Sequence, residues 1–231
     1  MSNWHVDDLV EAEENPPEKE TPRASAPAEQ QATQATPQQA VVQTKILQNV
    51  AQDKIQFRWK IVVVGPGGVG KSTMLHRYFY KQFMPDMIMT IGVSHMSHVI
   101  ERHGKIINLI IWDLSGQKRF EVLHPAYLGD STGAFIVFDM SQPDTIDEVP
   151  KWAELIRRYN AANKALPIVL VGTKVDLLTD QSQLDATYKK IEEKMAELEL
   201  QYVCVTSSKT NYNVTETIDF LVDYILWSRG L

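Results

Sequence analysis

KIVVVGPGGVGKST, residues 60–73, joins an apolar, β-branched run to a glycine-rich turn and then to a lysine and two hydroxyls. The run KIVVV reads as a buried strand, and the residues after Lys71 take up helical spacing. Between them GPGGVGKS matches the pattern G-x-x-x-x-G-K-[ST]. Gly65, Gly68 and Gly70 let the backbone curl so that successive N–H groups converge on phosphate oxygens at a helix N-terminus. Lys71 supplies a point charge for terminal phosphates and Ser72 a hydroxyl for Mg²⁺. This much implies a nucleoside triphosphate. It leaves the base and the reaction open, because ATPases, nucleotide kinases and GTPases all use such a loop.

Outward from this loop the chain alternates strands with helices. Strands are expected at 59–64, 93–101, 106–113, 133–139, 167–173 and 201–206. Helices are expected at 71–80, 145–163, 183–198 and 214–228, with a short irregular one at 120–128. Such alternation implies a mostly parallel sheet covered on both faces. His103-Gly104 reads as a tight turn, so the strands flanking it form an antiparallel hairpin at one edge.

Of 231 residues, 44% are hydrophobic and 23% charged, the composition of a soluble globular protein. No apolar run approaches the roughly 18 residues of a membrane-spanning helix. The single cysteine, Cys204, excludes an intrachain disulfide framework and a multi-cysteine zinc site. The formal charge of -6 lies wholly in residues 1–40, which hold eight acids and two bases; the remainder has 21 of each. A neutral body argues against nucleic-acid binding. Residues 1–55 are expected to be a disordered, acidic, Pro- and Gln-rich extension, with a short amphipathic helix at 41–55 from Val42, Ile46, Leu47 and Val50. Residues 56–231 form the globular domain.

Downstream motifs narrow the chemistry. After GPGGVGKS come TIGV at 90–93, WDLSGQKRF at 112–120, VGTKVDL at 171–177 and TSSKT at 206–210. Their order and spacing resemble the Ras superfamily of small GTPases, and most closely the Rab branch, whose members read TIGVDF, WDTAGQERF, NKxD and SAK. The resemblance covers residues 57–228. It implies a three-layer α/β P-loop GTPase fold with a six-stranded, mostly parallel sheet, one antiparallel edge strand and helices on both faces.

The resemblance also implies roles. Gly65, Gly67, Gly68, Val69, Gly70, Lys71, Ser72 and Thr73 would hold the phosphates. Phe83, at the family's spacing from Ser72, would pack on guanine. Ser72, Thr90 and Asp113 would bind Mg²⁺, Thr90 reporting the γ-phosphate, and a hard cation suits these oxygens. Gly116 would offer its N–H to the γ-phosphate and Gln117 would orient the attacking water, so that Gln117, Lys71 and Gly116 carry hydrolysis. Asp176 would accept two hydrogen bonds from guanine, a pattern adenine cannot match. Lys174 would lay its stem along the base, and Thr173, Ser207, Ser208 and Lys209 would complete the pocket.

A GTP/GDP switch with slow Mg²⁺-dependent hydrolysis is therefore expected. It would work in trafficking or signalling through an exchange factor, an activating protein and effectors that meet residues 83–94 and 114–127. Three departures bear on this. Thr173 replaces Asn, which weakens the expected link to the phosphate loop. Ser115 and Lys118 alter the second partner-binding segment. The sequence ends at WSRGL without prenylation cysteines, and Ser2 replaces the glycine that myristoylation needs, so no lipid anchor is expected. A monomeric, cytoplasmic protein is expected, peripheral on membranes only through partners or its N-terminal extension. The alternatives are a GTP-bound scaffold with little hydrolysis and an ATP-dependent enzyme.

Overall fold

The run FRWKIVVV forms β2 (Phe57–Val64), which places Trp59, Ile61 and Val63 on one face and Val62 and Val64 on the other, all buried. Period-two alternation thus feeds two cores from one strand. The computed structural model describes residues 44–231, and readings that fall on residues 1–43 lie outside the described residues. The remaining strands are β1 (Lys45–Leu47), β3 (Val93–Arg102), β4 (Lys105–Leu114), β5 (Gly133–Asp139), β6 (Ile168–Thr173) and β7 (Val203–Val205). The helices are α1 (Lys71–Tyr80), α2 (His124–Leu128), α3 (Val149–Tyr159), α4 (Gln181–Leu198) and α5 (Val214–Ser228).

The strands form one sheet in the order β1-β3-β4-β2-β5-β6-β7. β2 lies parallel between β4 and β5, and β6 and β7 continue the parallel run. β3 is antiparallel to β4, and at their turn His103 and Gly104 both have positive φ, 49° and 72°, as a two-residue hairpin with the sheet's twist requires. Met74, Leu75 and Tyr78 of α1 and Ile218, Leu221 and Ile225 of α5 cover one face. Leu128 of α2, Trp152 and Ile156 of α3 and Ile191 of α4 cover the other. All seven residues of β5 and all six of β6 are buried, which is why their sequences are almost continuously apolar. Chain connections diverge to either side of β2, so its carboxyl end is the switch point where such sheets bind ligands.

The sheet has seven strands where six are expected. The extra one, β1, also corrects the helix expected at 41–55: Lys45, Ile46 and Leu47 pair antiparallel with Glu101, Ile100 and Val99. A backbone edge left open by β3 outweighs the weak helical preference of a short segment. Arg102 fixes the junction, donating to Thr44 Oγ1 at 3.1 Å while binding Asp219 and Asp223 of α5. Asn49, in the left-handed region, follows the strand's end. A second correction concerns the helix expected at 145–163. It is α3, preceded by a 3₁₀ segment at Pro143–Glu148, because Pro150 has no N–H to donate and fits only a first turn.

The α1–β3 contact carries a titratable group. Tyr78 Oη and His98 Nε2 lie 3.1 Å apart, with Phe79 packed on the imidazole. Burial, helped by the Lys81 charge, holds the His98 pKa down to about 4. An unfolded chain takes up this proton near pH 6.5 and the folded one only near 4, so stability rises with pH across that window and is lost on acidification through it. The loss is expected to be about 2 kcal/mol, allowing for solvent screening of a partly exposed ring. Urea midpoints measured from pH 7 to 4 should fall more steeply for the native protein than for His98→Gln; parallel slopes would contradict it.

Candidate functional site

The turn after β2 is built around contacts only glycine allows. Gly65 has φ 140°, and a Cβ there would overlap the Val137 carbonyl of β5. Gly68 and Gly70 have φ 80° and 94°, which curl the loop into the start of α1. No side chain caps that helix and no acidic residue lies in its first turn, so its positive end faces the loop uncompensated. Lys71, 5% exposed, donates to the Gly65 and Pro66 carbonyls at 2.8 and 2.7 Å. That leaves one of its three donors for a ligand. Burial lowers its pKa to about 8 against the opposing pull of Asp113 and Glu148.

Beside Lys71 three oxygen-bearing side chains meet. Ser72 Oγ lies 2.5 Å from Thr90 Oγ1 and donates to Asp113 Oδ2, which also accepts from Thr90 at 3.1 Å. Asp113 is fully buried at the end of β4, and burial raises its pKa. Its Oδ1 has no hydrogen-bond partner among the described residues. An orphaned carboxylate oxygen beside two hydroxyls is an oxygen-only donor set that suits a hard divalent cation. Among the described residues no cluster of three or more His, Cys, Asp or Glu could hold a metal. A cation here would therefore share its coordination with phosphate and water, the habit of Mg²⁺ rather than Ca²⁺.

Two segments roof this end. Gly116 lies directly on the phosphate loop: a Cβ there would overlap Gly65 O and Pro66 C. Gln117 Nε2 reaches Thr90 O at 3.5 Å, which brings the segments 83–94 and 114–127 together. Ser115, buried, accepts from Gln117 N through its hydroxyl at 3.4 Å, and its carbonyl lies 2.9 Å from His124 Nε2. Lys118 is exposed. His95 stacks on Trp112, and Trp112 meets Tyr127, joining β3, β4 and α2 by an aromatic ladder.

The opposite end is formed by the carboxyl end of β6 and the segment after it. Thr173, shorter than Asn, nonetheless bonds the Val69 carbonyl through its hydroxyl and lies 3.0 Å from Phe138 O, so the tie to the phosphate loop is present. The replacement thus keeps a contact with the loop through a hydroxyl in place of an amide. Lys174, at φ 60°, donates to Gly68 O at 2.8 Å and pairs with Asp139 at 2.7 Å, which stretches its stem along the cavity wall. Asp176 Oδ1 accepts from Ser207 Oγ at 2.5 Å, fixing the carboxylate.

One cavity of about 350 Å³ spans both ends. It is lined by Gly67, Gly68, Gly70, Lys71, Ser72, Thr73, Phe83, Thr90, Gly116, Gln117, Thr173, Lys174, Asp176, Ser208 and Lys209. Gly65, Val69, Asp113 and Ser207 stand behind this lining, the first two shaping the loop and the others holding Ser72 and Asp176. Asp139 is absent from the sequence reading; its signal was an acid closing the apolar run GAFIVFD. Met84, Met87 and Met89 also line the cavity and went unread.

Residues 60–226 match the Ras family. The chain belongs to that family. It is similar to Ras-related protein Rab-12 of Homo sapiens, with 34% identity over 170 residues, 74% of this chain and 68% of the relative. Ras-related protein RABA4b of Arabidopsis thaliana is 33% identical over 175 residues, 76% of this chain and 75% of its own. Ras-related protein Rab11A of Lotus japonicus is 34% identical over 144 residues, 62% and 63% of the two chains. This Ras-family protein is thus Rab-like, and Ras and Rab GTPases generally use GTP, GDP and Mg²⁺.

Proposed function

We propose that this protein is a guanine-nucleotide switch that hydrolyses GTP slowly. The observation that carries the reading is one cavity with Lys71 and the Ser72–Thr90–Asp113 oxygen cluster at one end and the Ser207-fixed Asp176 carboxylate at the other. Guanine would lie between Phe83 and the Lys174 stem. Its ring N–H and amine would donate to Asp176, with Ser208 and Lys209 at its carbonyl edge. The phosphates would lie on the loop N–H groups, with the Lys71 ammonium at their terminal end.

Ser72, Thr90 and Asp113 would hold Mg²⁺, which when bound neutralises charge on the phosphate oxygens. Gln117 orients a water against the γ-phosphorus. The water oxygen forms the new P–O bond, the bond to the β–γ bridging oxygen breaks, and the leaving GDP keeps that electron pair. Gly116 and Lys71 stabilise the charge that develops. Among the described residues no arginine lines the cavity, so hydrolysis would be slow and completed by an activating partner in trans. Loss of the γ-phosphate frees Thr90 and Gly116, and segments 83–94 and 114–127 change order together. Exchange factors and effectors read those segments. No helix among the described residues is long and apolar enough to cross a membrane.

A Cβ on Gly67 would lie 3.4 Å from Met89 Cε and 3.7 Å from Gln117 Cγ. Valine's added methyls would displace Gln117. Gly67→Val and Gln117→Leu should each slow single-turnover phosphate release at least about tenfold while GTP affinity stays within about threefold. Unchanged release in both removes Gln117 from its role. A native protein that binds GTP without releasing phosphate is instead a scaffold.

A further inference from the structure

The loop FMPDMIMT, residues 83–90, carries three methionines within six positions, and all three line the nucleotide cavity. Met84 is 47% exposed and Met89 is 52% exposed, whereas Met74 and Met140 are fully buried in the two cores. Met89 is also seated on the site, its Cε 3.4 Å from where a Gly67 Cβ would stand, and it precedes Thr90 of the oxygen cluster. An accessible thioether therefore rests its methyl group on the phosphate loop at the terminal-phosphate end.

We propose that Met89, together with Met84, is an oxidation switch that lowers affinity for the triphosphate. The proposal rests on the nucleotide-site reading above. The oxidant class is a peroxide, here hydrogen peroxide. The sulfur lone pair attacks the outer peroxide oxygen, the O–O bond breaks, and that oxygen stays on sulfur as a sulfoxide. The second oxygen leaves as hydroxide and takes the proton to become water, so sulfur loses two electrons and the peroxide gains them. The product replaces a flexible apolar side chain by a polar one with a negative oxygen. On Gly67 that oxygen would set a partial negative charge against the terminal phosphate. Diphosphate, which does not reach Gly67 and Thr90 with a γ-phosphate, is affected less. Methionine sulfoxide reductases reverse the change.

The test treats the full chain with hydrogen peroxide, maps oxygen addition by peptide mass spectrometry, and titrates GTP and GDP before and after. The expected result is oxidation of Met84 and Met89 ahead of Met74 and Met140. GTP affinity should fall about fivefold or more and GDP affinity less than about twofold. Methionine sulfoxide reductases should restore it, and Met84→Leu/Met89→Leu should hold its own untreated affinity through the treatment. Loss of GTP affinity in that variant equal to the native loss, oxidation without any change in affinity, or equal loss of GTP and GDP would each overturn the proposal. Failure of the untreated protein to bind either nucleotide would instead strike the reading of the site, independently of which methionines oxidise.

Discussion

Asp176→Asn should weaken GTP binding by about 100-fold or more while leaving the fold intact. The substitution is nearly isosteric, and the side chain is only partly buried, so little packing changes. What changes is the hydrogen-bond sense. The carboxylate offers acceptors to guanine's ring N–H and amine, whereas the amide turns an N–H₂ toward one of them and sets donor against donor. The Ser207 hydroxyl, 2.5 Å from Oδ1, holds the group in place, so it cannot swing away to relieve the mismatch. Xanthine carries a carbonyl where guanine carries the amine, so the same variant should bind xanthosine triphosphate better than GTP. Isothermal titration with both nucleotides, beside a thermal melt, checks this; undiminished GTP affinity would remove Asp176 from base recognition.

Lys71→Met should have an effect at least as large, raising the GTP dissociation constant about 100- to 1,000-fold, because it removes a buried charge from the terminal phosphates. The methionine keeps the aliphatic stem but leaves the Gly65 and Pro66 carbonyls without their donor, so circular dichroism and melting should accompany the titration. A pH titration of the native protein separates the charge from the packing. Burial brings the Lys71 ammonium to about 8, and a neighbouring triphosphate would raise that value. Binding above pH 8 would then take up a proton, and affinity should fall by up to about tenfold per pH unit above that point. Lys71→Met should lack this dependence; an identical pH profile in the variant would assign it to another group.

The nucleotide end of this structure was legible because its chemistry is local. The loop, the helix after it and the strand before it are consecutive, and the resemblance to the family implies Phe83 and Thr90 at this site, where both line the cavity. Thr173, expected in the pocket, lines the cavity, and its hydroxyl contact with the loop is not visible in the sequence. Whether a hydroxyl reaches Val69 depends on how closely β6 approaches the loop, which no residue type reports. Asp139 escaped because its partner Lys174 lies on the next strand's exit, and an acid after an apolar strand is as often a turn residue. β1 escaped because Ile46 and Leu47 satisfy helical and extended patterns alike; the open edge of β3 is what selects between them. The methionines escaped because an apolar residue in a loop reads as incidental until the cavity it lines is seen.

The proposed switch requires guanine selectivity in this one cavity. Displacement of fluorescent GDP by GTP and by ATP, in Mg²⁺, measures it directly. GTP should displace the probe near stoichiometry, and ATP should fail even at about 1,000-fold excess. Equal displacement by ATP would contradict the assignment of Asp176 and, with it, the proposed switch.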